Sequence, residues 1–198
     1  MSPTLYYFNG QGRGELIRLI LTFANVKFDD QRVKSIKETQ GLSEKLAFGQ
    51  LPFYEDNDVR ISQSYAIARY VAKQHGLAGS TDLESALIDG VADSLWDILS
   101  PYFSSRDNPE KLQKFKDETI QKFVSKLEEL LIKNGGQHFV GKQYTWGDIA
   151  IYFGFEYLKK LGFGEQIKGY PTLEAFALKF SQIPQIAEYL KNRPETQF

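Results

Sequence analysis

Short strand patterns and one strongly apolar helix pattern open the chain. Residues Thr4–Phe8 are rich in aromatic and β-prone side chains and predict a strand. Glycines at positions 10, 12 and 14 then break the regularity, and residues 15–24 place apolar side chains at helical spacing. Residues 26–33 predict a second strand. A strand, a helix and a strand this close together form a βαβ unit, whose strands pair in parallel through a right-handed crossover.

Two more strands and a helix are predicted before residue 76. Residues 51–54 and 59–61 carry strand-forming side chains and are separated by the polar run Glu55-Asp56-Asn57-Asp58, which favours a hairpin. A helix pattern follows from about residue 64 to residue 75. The order βαβ and then ββα predicts a small α/β domain over residues 1–75.

Beyond this domain the pattern becomes helical. Residues 76–81 are small and include two glycines that can end a helix, so they predict a linker. Helical periodicity then recurs over residues 83–99, 109–132, 146–161 and 172–180, with a last short helix at 186–191. We therefore predict an all-helical second domain over residues 82–198.

The start of one of these helices is marked by Thr145 and Asp148. A hydroxyl at the N-cap and a carboxylate three residues later, before an apolar run, form a capping-box pattern. Each side chain can satisfy a backbone donor of the first turn. We expect this pair to serve folding rather than chemistry.

Composition limits the chemistry that the chain can perform. A formal net charge of -1 gives no electrostatic reason to expect nucleic acid or a membrane as the main partner. Without cysteine there is no disulfide, thiolate metal site or Cys-x-x-Cys redox centre, so thiol chemistry requires a thiol from the substrate. The two histidines have no metal-ligand spacing, so no metal is expected. The N-terminus lacks a signal-peptide pattern, and the apolar stretch at 16–24 is too short to span a bilayer, so we expect a cytoplasmic protein.

Three separated segments suit a small anionic peptide that carries a thiol: Tyr7-Phe8-Asn9, Phe48-Gly49-Gln50-Leu51-Pro52 and Gln63-Ser64. They supply a phenol, backbone groups before a strand, and the positive end of a helix. In order and spacing they resemble the glutathione site of the soluble glutathione transferases, and the first segment resembles the sigma class most. The resemblance implies a thioredoxin-like α/β N-terminal domain, an all-α C-terminal domain, and glutathione as co-substrate.

The resemblance assigns catalysis to Tyr7 and Arg13. A phenol can donate a hydrogen bond to a bound sulfur, and lowering a thiol pKa from ~8.5 by about two units requires ~3 kcal/mol of preferential thiolate stabilisation. Tyr6 is the neighbouring alternative, but adjacent strand residues face opposite ways and the family's tyrosine directly precedes a Phe-Asn pair. Taken alone, Tyr7 also fits a packing aromatic and Arg13 a surface ion pair. Gln11 stands where many relatives have a second arginine.

The resemblance further implies a set of glutathione-binding residues: Phe8, Lys45, Gln50, Leu51, Pro52, Gln63, Ser64 and Asp97. Within it, Pro52 is expected to be cis, with the Leu51 backbone pairing with the cysteinyl part of glutathione. Gln63 and Ser64 would hold the γ-glutamyl carboxylate at a helix N-terminus, a simple N-cap being the alternative. Asp97 would reach the glutathione amine across a dimer interface, or is otherwise a solvated acid.

Two parts of the ligand are less well specified by the sequence. For the glycine carboxylate, Thr39 and Ser43 occupy the segment where relatives often carry a tryptophan and a lysine, which leaves Lys37 and Lys45 as substitutes. For the second, hydrophobic substrate, the candidate walls are Trp96, Phe103 and Tyr152, each of which equally fits core packing.

Together these features predict a homodimeric glutathione transferase. Tyr7 would activate the glutathione thiol for conjugation to small hydrophobic electrophiles. Two alternatives remain open, a glutathione-dependent prostaglandin isomerase and a non-catalytic scaffold like the S-crystallins.

Overall fold

The N-terminal half of the fold confirms the predicted order of strands and helices. The structure, a computed structural model, describes residues 2–37 and 39–196. Its first elements are β1 (Thr4–Phe8), α1 (Gly12–Phe23), β2 (Asp29–Val33), α2 (Leu42–Lys45), β3 (Phe53–Asp56), β4 (Val59–Ser62) and α3 (Ser64–Gln74). The strands form one sheet in the order β2-β1-β3-β4. β1 pairs in parallel with β2 and antiparallel with β3, and β3 pairs antiparallel with β4. This is the thioredoxin-like arrangement that the resemblance implies.

The predicted start of the first helix is wrong by about one turn. α1 begins at Gly12 rather than at residue 15, so two of the glycines interpreted as breakers lie inside the helix. Glycine is required at both positions because the ring of Tyr7 packs directly against them and would collide with a side chain there. The strand β2 is shorter than predicted, because it begins at Asp29 rather than at residue 26.

Helices make up the second part of the chain, as predicted. They are α4 (Asp82–Ser105), α5 (Pro109–Lys114), α6 (Gln121–Lys133), α7 (Trp146–Lys160), α8 (Pro171–Ser181) and α9 (Pro184–Asn192). The predicted helix at 109–132 is interrupted by a π-helical segment, Phe115–Ile120, and a short 3-10 turn, Glu165–Ile167, precedes α8. None of the helices in the described part of the chain is both long and apolar enough to cross a membrane.

The chain divides into two compact units. The second unit is Leu77–Ile183, and the first consists of the chain up to Gly76 together with the segment that begins at Pro184. The boundaries predicted from sequence, 1–75, 76–81 and 82–198, stay a prediction; they count α9 with the helical domain, whereas its contacts group it with the first unit.

The predicted capping box at the start of α7 is confirmed. The Asp148 side chain is fully buried, and its Oδ2 accepts hydrogen bonds from the Thr145 backbone N–H and hydroxyl, both at 2.7 Å. Its Oδ1 accepts a third, from the backbone N–H of Phe139 at 2.8 Å. The carboxylate therefore ties the preceding loop to α7 as well as capping the helix.

Candidate active site

Tyr7 lies against the N-terminus of α1. Alternation along β1 buries Leu5 and Tyr7 on one face, whereas Tyr6 faces the other way, with its ring 5.9 Å from that of Phe53. The Tyr7 side chain is 9% exposed, and its hydroxyl oxygen accepts a hydrogen bond from the Arg13 backbone N–H at 2.9 Å. Because this bond uses a lone pair of the oxygen, the hydroxyl hydrogen remains available for donation to a ligand.

Two glycines make this close approach possible. A Cβ atom at Gly12 would lie 2.6 Å from the Tyr7 hydroxyl oxygen, and one at Gly14 would lie 2.5 Å from Cδ1 of the ring. Both distances are far below ordinary carbon contact distances. The glycines thus fix the phenol at the start of a helix, where backbone N–H groups create positive potential.

An open cavity of about 430 Å³ lies in the first unit. It is lined by Phe8, Arg13, Ile36, Gly49, Gln50, Leu51, Pro52, Gln63 and Ser64. Seven of these are residues that the sequence singled out, six from the three segments and Arg13 at the start of α1. Tyr7 is not itself a lining residue, but its hydroxyl bonds to the backbone of Arg13, which is. The Leu51–Pro52 peptide bond is cis, as the resemblance implies.

Backbone strain and an unpaired hydroxyl meet at the N-terminus of α3. Gln63 adopts φ 76° and ψ 119°, a left-handed conformation that is rare for a residue with a side chain. Ser64 is 3% exposed, and its hydroxyl oxygen is buried without a hydrogen-bond partner among the described residues. A buried hydroxyl in that state costs free energy unless a ligand supplies the partner. Since Gln63 and Ser64 both line the cavity, these features point to a ligand there.

Lys45 is engaged elsewhere. Its Nζ lies 2.8 Å and 3.1 Å from the two carboxylate oxygens of Glu55, which also pairs with Arg60 Nε at 3.0 Å. The hydrogen bond from Lys45 and the neighbouring Arg60 hold the pKa of the Glu55 carboxyl below its usual range. The hydroxyl of Thr39, in the segment where relatives often carry a tryptophan and a lysine, donates to the backbone carbonyl of Ser35 at 3.0 Å. A role for Lys45 in binding glutathione stays a prediction.

The remaining predicted residues belong to the second unit. Asp97 and Trp96 lie on α4, where Asp97 is exposed and the Trp96 ring stacks on Phe103 with centroids 5.9 Å apart. Tyr152 is 2% exposed and packs against Phe180 at 4.5 Å, so it belongs to the core of that unit, the alternative left open by the sequence. Trp96 and Phe103 are half-buried and remain candidates for an apolar wall.

Sequence reasoning missed two residues that line the cavity. Ile36 packs against a cluster of Val33, Leu42, Leu46 and Phe53, and carries no motif that would mark it. Gly49 lies within one of the recognised segments, and its φ of 62° is a conformation that glycine adopts without strain. No group of three or more histidine, aspartate or glutamate side chains among residues 2–37 and 39–196 is arranged to hold a metal ion.

Comparisons with known proteins show similarity in both units of the chain. Family models of the glutathione S-transferase N-terminal and C-terminal domains match residues 3–73 and 93–193. S-crystallin 4 of Enteroctopus dofleini is 32% identical, with 100% of this chain and 99% of that protein covered. The hematopoietic prostaglandin D synthase of Gallus gallus is 32% identical, with 97% of this chain and 96% of that protein covered.

Solved structures give the same result. The crystal structure of the glutathione S-transferase from Ascaris lumbricoides superimposes with a TM-score of 0.87 at 31% identity, and all of both chains is covered. The sequence similarity and the fold both extend beyond the first unit, and the predicted family and the predicted fold class are confirmed. The chain therefore belongs to the glutathione S-transferase family and is a transferase that uses glutathione as its co-substrate.

Proposed function

We propose that this transferase binds glutathione in the cavity of the first unit and activates its thiol through Tyr7 for conjugation to small hydrophobic electrophiles. The observation that carries the binding part is the buried, unpaired hydroxyl of Ser64 at the N-terminus of α3, beside the cavity. α3 is 11 residues long, so its first turn offers a well-formed set of backbone N–H donors.

The γ-glutamyl end of the ligand would lie at this helix terminus. A carboxylate there accepts backbone N–H donors and the Ser64 hydroxyl, and it is favoured by the helix dipole. The left-handed backbone of Gln63 brings the amide side chain and the helix N-terminus to the same cavity. Strain of this kind persists where the surrounding structure imposes it, which supports a role in ligand binding.

The cysteinyl part would lie along Leu51 and point its sulfur towards Tyr7 and Arg13. Leu51 lines the cavity directly before β3, where an extended peptide can add its backbone to the edge of the sheet. The Tyr7 hydroxyl would donate to the sulfur, and the Arg13 charge and the N-terminus of α1 would add positive potential. The thiol would then lose its proton to solvent. The thiolate sulfur would form a bond to the electrophilic carbon, and the leaving group, chloride in a chlorodinitrobenzene, would depart with the electron pair of the bond that breaks.

The binding part is tested by Ser64→Ala. We expect glutathione affinity to fall about 10-fold, because a hydrogen bond to a charged group contributes roughly 1.5–3 kcal/mol, part of which backbone donors retain. Isothermal titration with glutathione measures this directly. Ser181→Ala is the matched control, because that hydroxyl donates only to the Leu178 carbonyl of its own helix. Equal affinity of Ser64→Ala and wild type would contradict the placement of the ligand at α3.

Turnover separates conjugation from the two alternatives, which the similarity to a prostaglandin D synthase and to an S-crystallin keeps open. Purified protein would be assayed with a chlorodinitrobenzene and, separately, with a prostaglandin endoperoxide, both in the presence of glutathione. We expect conjugation of the first. Isomerisation of the second alone would favour the isomerase, and tight glutathione binding without either reaction would favour a scaffold.

We further propose that the second unit pairs with a second copy of the chain. It carries an apolar groove of about 690 Å³ whose lining includes Leu87 and Leu130, both exposed. The same lining includes one acid, Glu84, and one base, Lys126, so the groove offers a charge of each sign to the other copy.

Sedimentation measurements test the pairing. We expect a dimer for the wild type, and a shift towards monomer for Leu87→Asp, since a charge buried in an apolar interface is strongly unfavourable. Leu178→Asp is the matched control, because Leu178 is an equally exposed leucine on α8 outside the groove. A monomeric wild type, or a Leu87→Asp variant that dimerises as well as wild type, would rule the proposal out.

A further inference from the structure

A buried series of ion pairs connects the end of the chain to the N-terminus of α1. Glu15 in the first turn of α1 is 1% exposed, and Arg18 one turn later is 0% exposed. Glu15 Oε1 accepts hydrogen bonds from Arg193 Nη1 at 2.7 Å and from the Tyr189 hydroxyl at 3.0 Å. Glu15 Oε2 lies 3.3 Å from Arg18 Nη1. One carboxylate is thus shared between the C-terminal segment and Arg18.

Arg18 in turn contacts Tyr7 and the loop that follows β1. Its Nη1 donates to the Gly10 carbonyl at 2.7 Å, and its Nε pairs with Asp30 at 2.9 Å. Its guanidinium carbon lies 5.7 Å from the centre of the Tyr7 ring, within the range of a cation–π interaction. The guanidinium therefore fixes both the ring of Tyr7 and the turn that leads into α1.

Helix α9 runs antiparallel to α1 and is anchored at both ends. The Gln185 side chain donates to the Phe23 carbonyl, one of the last of α1, at 3.1 Å. Tyr189 and Arg193 reach Glu15 at the opposite end of α1. Burial and the Glu15 charge raise the pKa of the Tyr189 phenol, so this residue remains a hydrogen-bond donor throughout the physiological range.

The balance of charges shows what Arg193 contributes. Five charged groups are linked here: the carboxylates of Glu15 and Asp30 and the guanidinium groups of Arg18, Arg32 and Arg193. Three guanidinium groups against two carboxylates leave the set with one net positive charge, and removal of Arg193 would leave it neutral. Without Arg193, the buried Glu15 carboxylate would keep Arg18 as its one cationic partner among the described residues, and a buried carboxylate that loses a partner draws strongly on those that remain.

We infer that Arg193 and Tyr189 are positioning residues for thiol activation. By holding Glu15, they leave Arg18 able to fix the Gly10 turn and the Tyr7 ring. The C-terminal segment would then set how strongly the site favours the thiolate of bound glutathione, although none of its described residues lines the cavity. This inference rests on the proposed activation of glutathione by Tyr7.

Ultraviolet difference titration of bound glutathione against pH tests the inference, with saturating glutathione and full-length protein. We expect Arg193→Ala to raise the pKa of the bound thiol by about one unit, from about 6.5 to about 7.5, which lowers the thiolate fraction at pH 7 about 3-fold. kcat should fall in parallel, whereas KM for glutathione should change less than about 2-fold, because Leu51 and the α3 terminus are untouched. Arg193→Lys keeps the charge and should recover most of the loss.

The controls separate positioning from general stabilisation. Lys191→Ala removes an exposed cation from the same helix and should titrate like wild type. Tyr189→Phe removes one bond to Glu15 but keeps the half-buried ring, so it should shift the thiol pKa in the same direction by less, even if Arg193→Ala does not fold. If Arg193→Ala folds and its bound thiol has the same pKa as in wild type, the inference is overturned. If Arg193→Ala is unfolded, a wild-type thiol pKa in Tyr189→Phe overturns it instead. If wild type itself does not lower the thiol pKa, activation by Tyr7 is wrong and the inference falls with it.

Discussion

Replacing Tyr7 with phenylalanine is expected to lower the rate of glutathione conjugation about 25-fold at pH 7. The Tyr7 hydroxyl accepts a hydrogen bond from the backbone at the start of α1 and keeps its hydrogen for the ligand, and a rise in the pKa of the bound thiol from about 6.5 to about 8.5 lowers the thiolate fraction at pH 7 by that factor. Phenylalanine keeps the ring that packs against Gly12 and Gly14, so the local fold should persist. Steady-state rates and the ultraviolet titration of bound thiolate measure the two effects independently.

Tyr6→Phe supplies the matched control for this experiment. Tyr6 is the adjacent residue of the same strand, but its ring packs against Phe53 on the opposite face of the sheet. Its variant should conjugate glutathione at the wild-type rate. Equal rates for wild type and Tyr7→Phe would show that Tyr7 does not activate the thiol.

The second large effect is expected in stability. Asp148→Ala should lower the free energy of unfolding by about 3–5 kcal/mol, because it leaves the N–H of Phe139 and the N–H and hydroxyl of Thr145 without their shared acceptor in a buried site. Urea denaturation followed by circular dichroism measures the change, and a two-state fit should show a lower midpoint at a similar slope.

An exposed acid in a comparable position provides the comparison. Asp82 lies in the first turn of α4 and is exposed, so Asp82→Ala removes a charge near a helix N-terminus without uncovering buried donors. It should cost less than about 1 kcal/mol. A similar cost for both variants would mean that the carboxylate of Asp148 acts only through the helix dipole.

Local patterns predicted β1 to β4, α1 and α3 because strand and helix periods depend on neighbouring residues, but they did not predict the four-residue helix α2. The role of Gly12 and Gly14 escaped this reasoning: in an isolated sequence they indicate a break, yet the ring of Tyr7 requires them inside a helix. The family resemblance predicted that Gln63 and Ser64 share one binding site with Leu51, which periodicity alone could not predict. Their binding roles remain proposals.

Long-range charge pairs were beyond the reach of sequence patterns. Nothing near Glu15 in the sequence indicates Arg193 as its partner, because the two residues are 178 positions apart. Likewise, the sequence around Lys45 is compatible with a ligand-binding lysine, but in the structure its Nζ lies 2.8 Å from a carboxylate oxygen of Glu55 on β3. Such pairs depend on which surfaces the fold brings together, and many cations along the chain would satisfy the same local pattern.

Because α9 packs with the first unit, this unit cannot complete its packing until α9 has been synthesised. The ribosome releases β1 to α3 first, then the whole second unit, and only afterwards the helix that supplies Tyr189 and Arg193. Until then, Glu15 must be buried without two of its hydrogen-bonding partners, or the early segment must stay loosely packed. The nascent first unit is therefore expected to remain a substrate for chaperones until translation has passed residue 193.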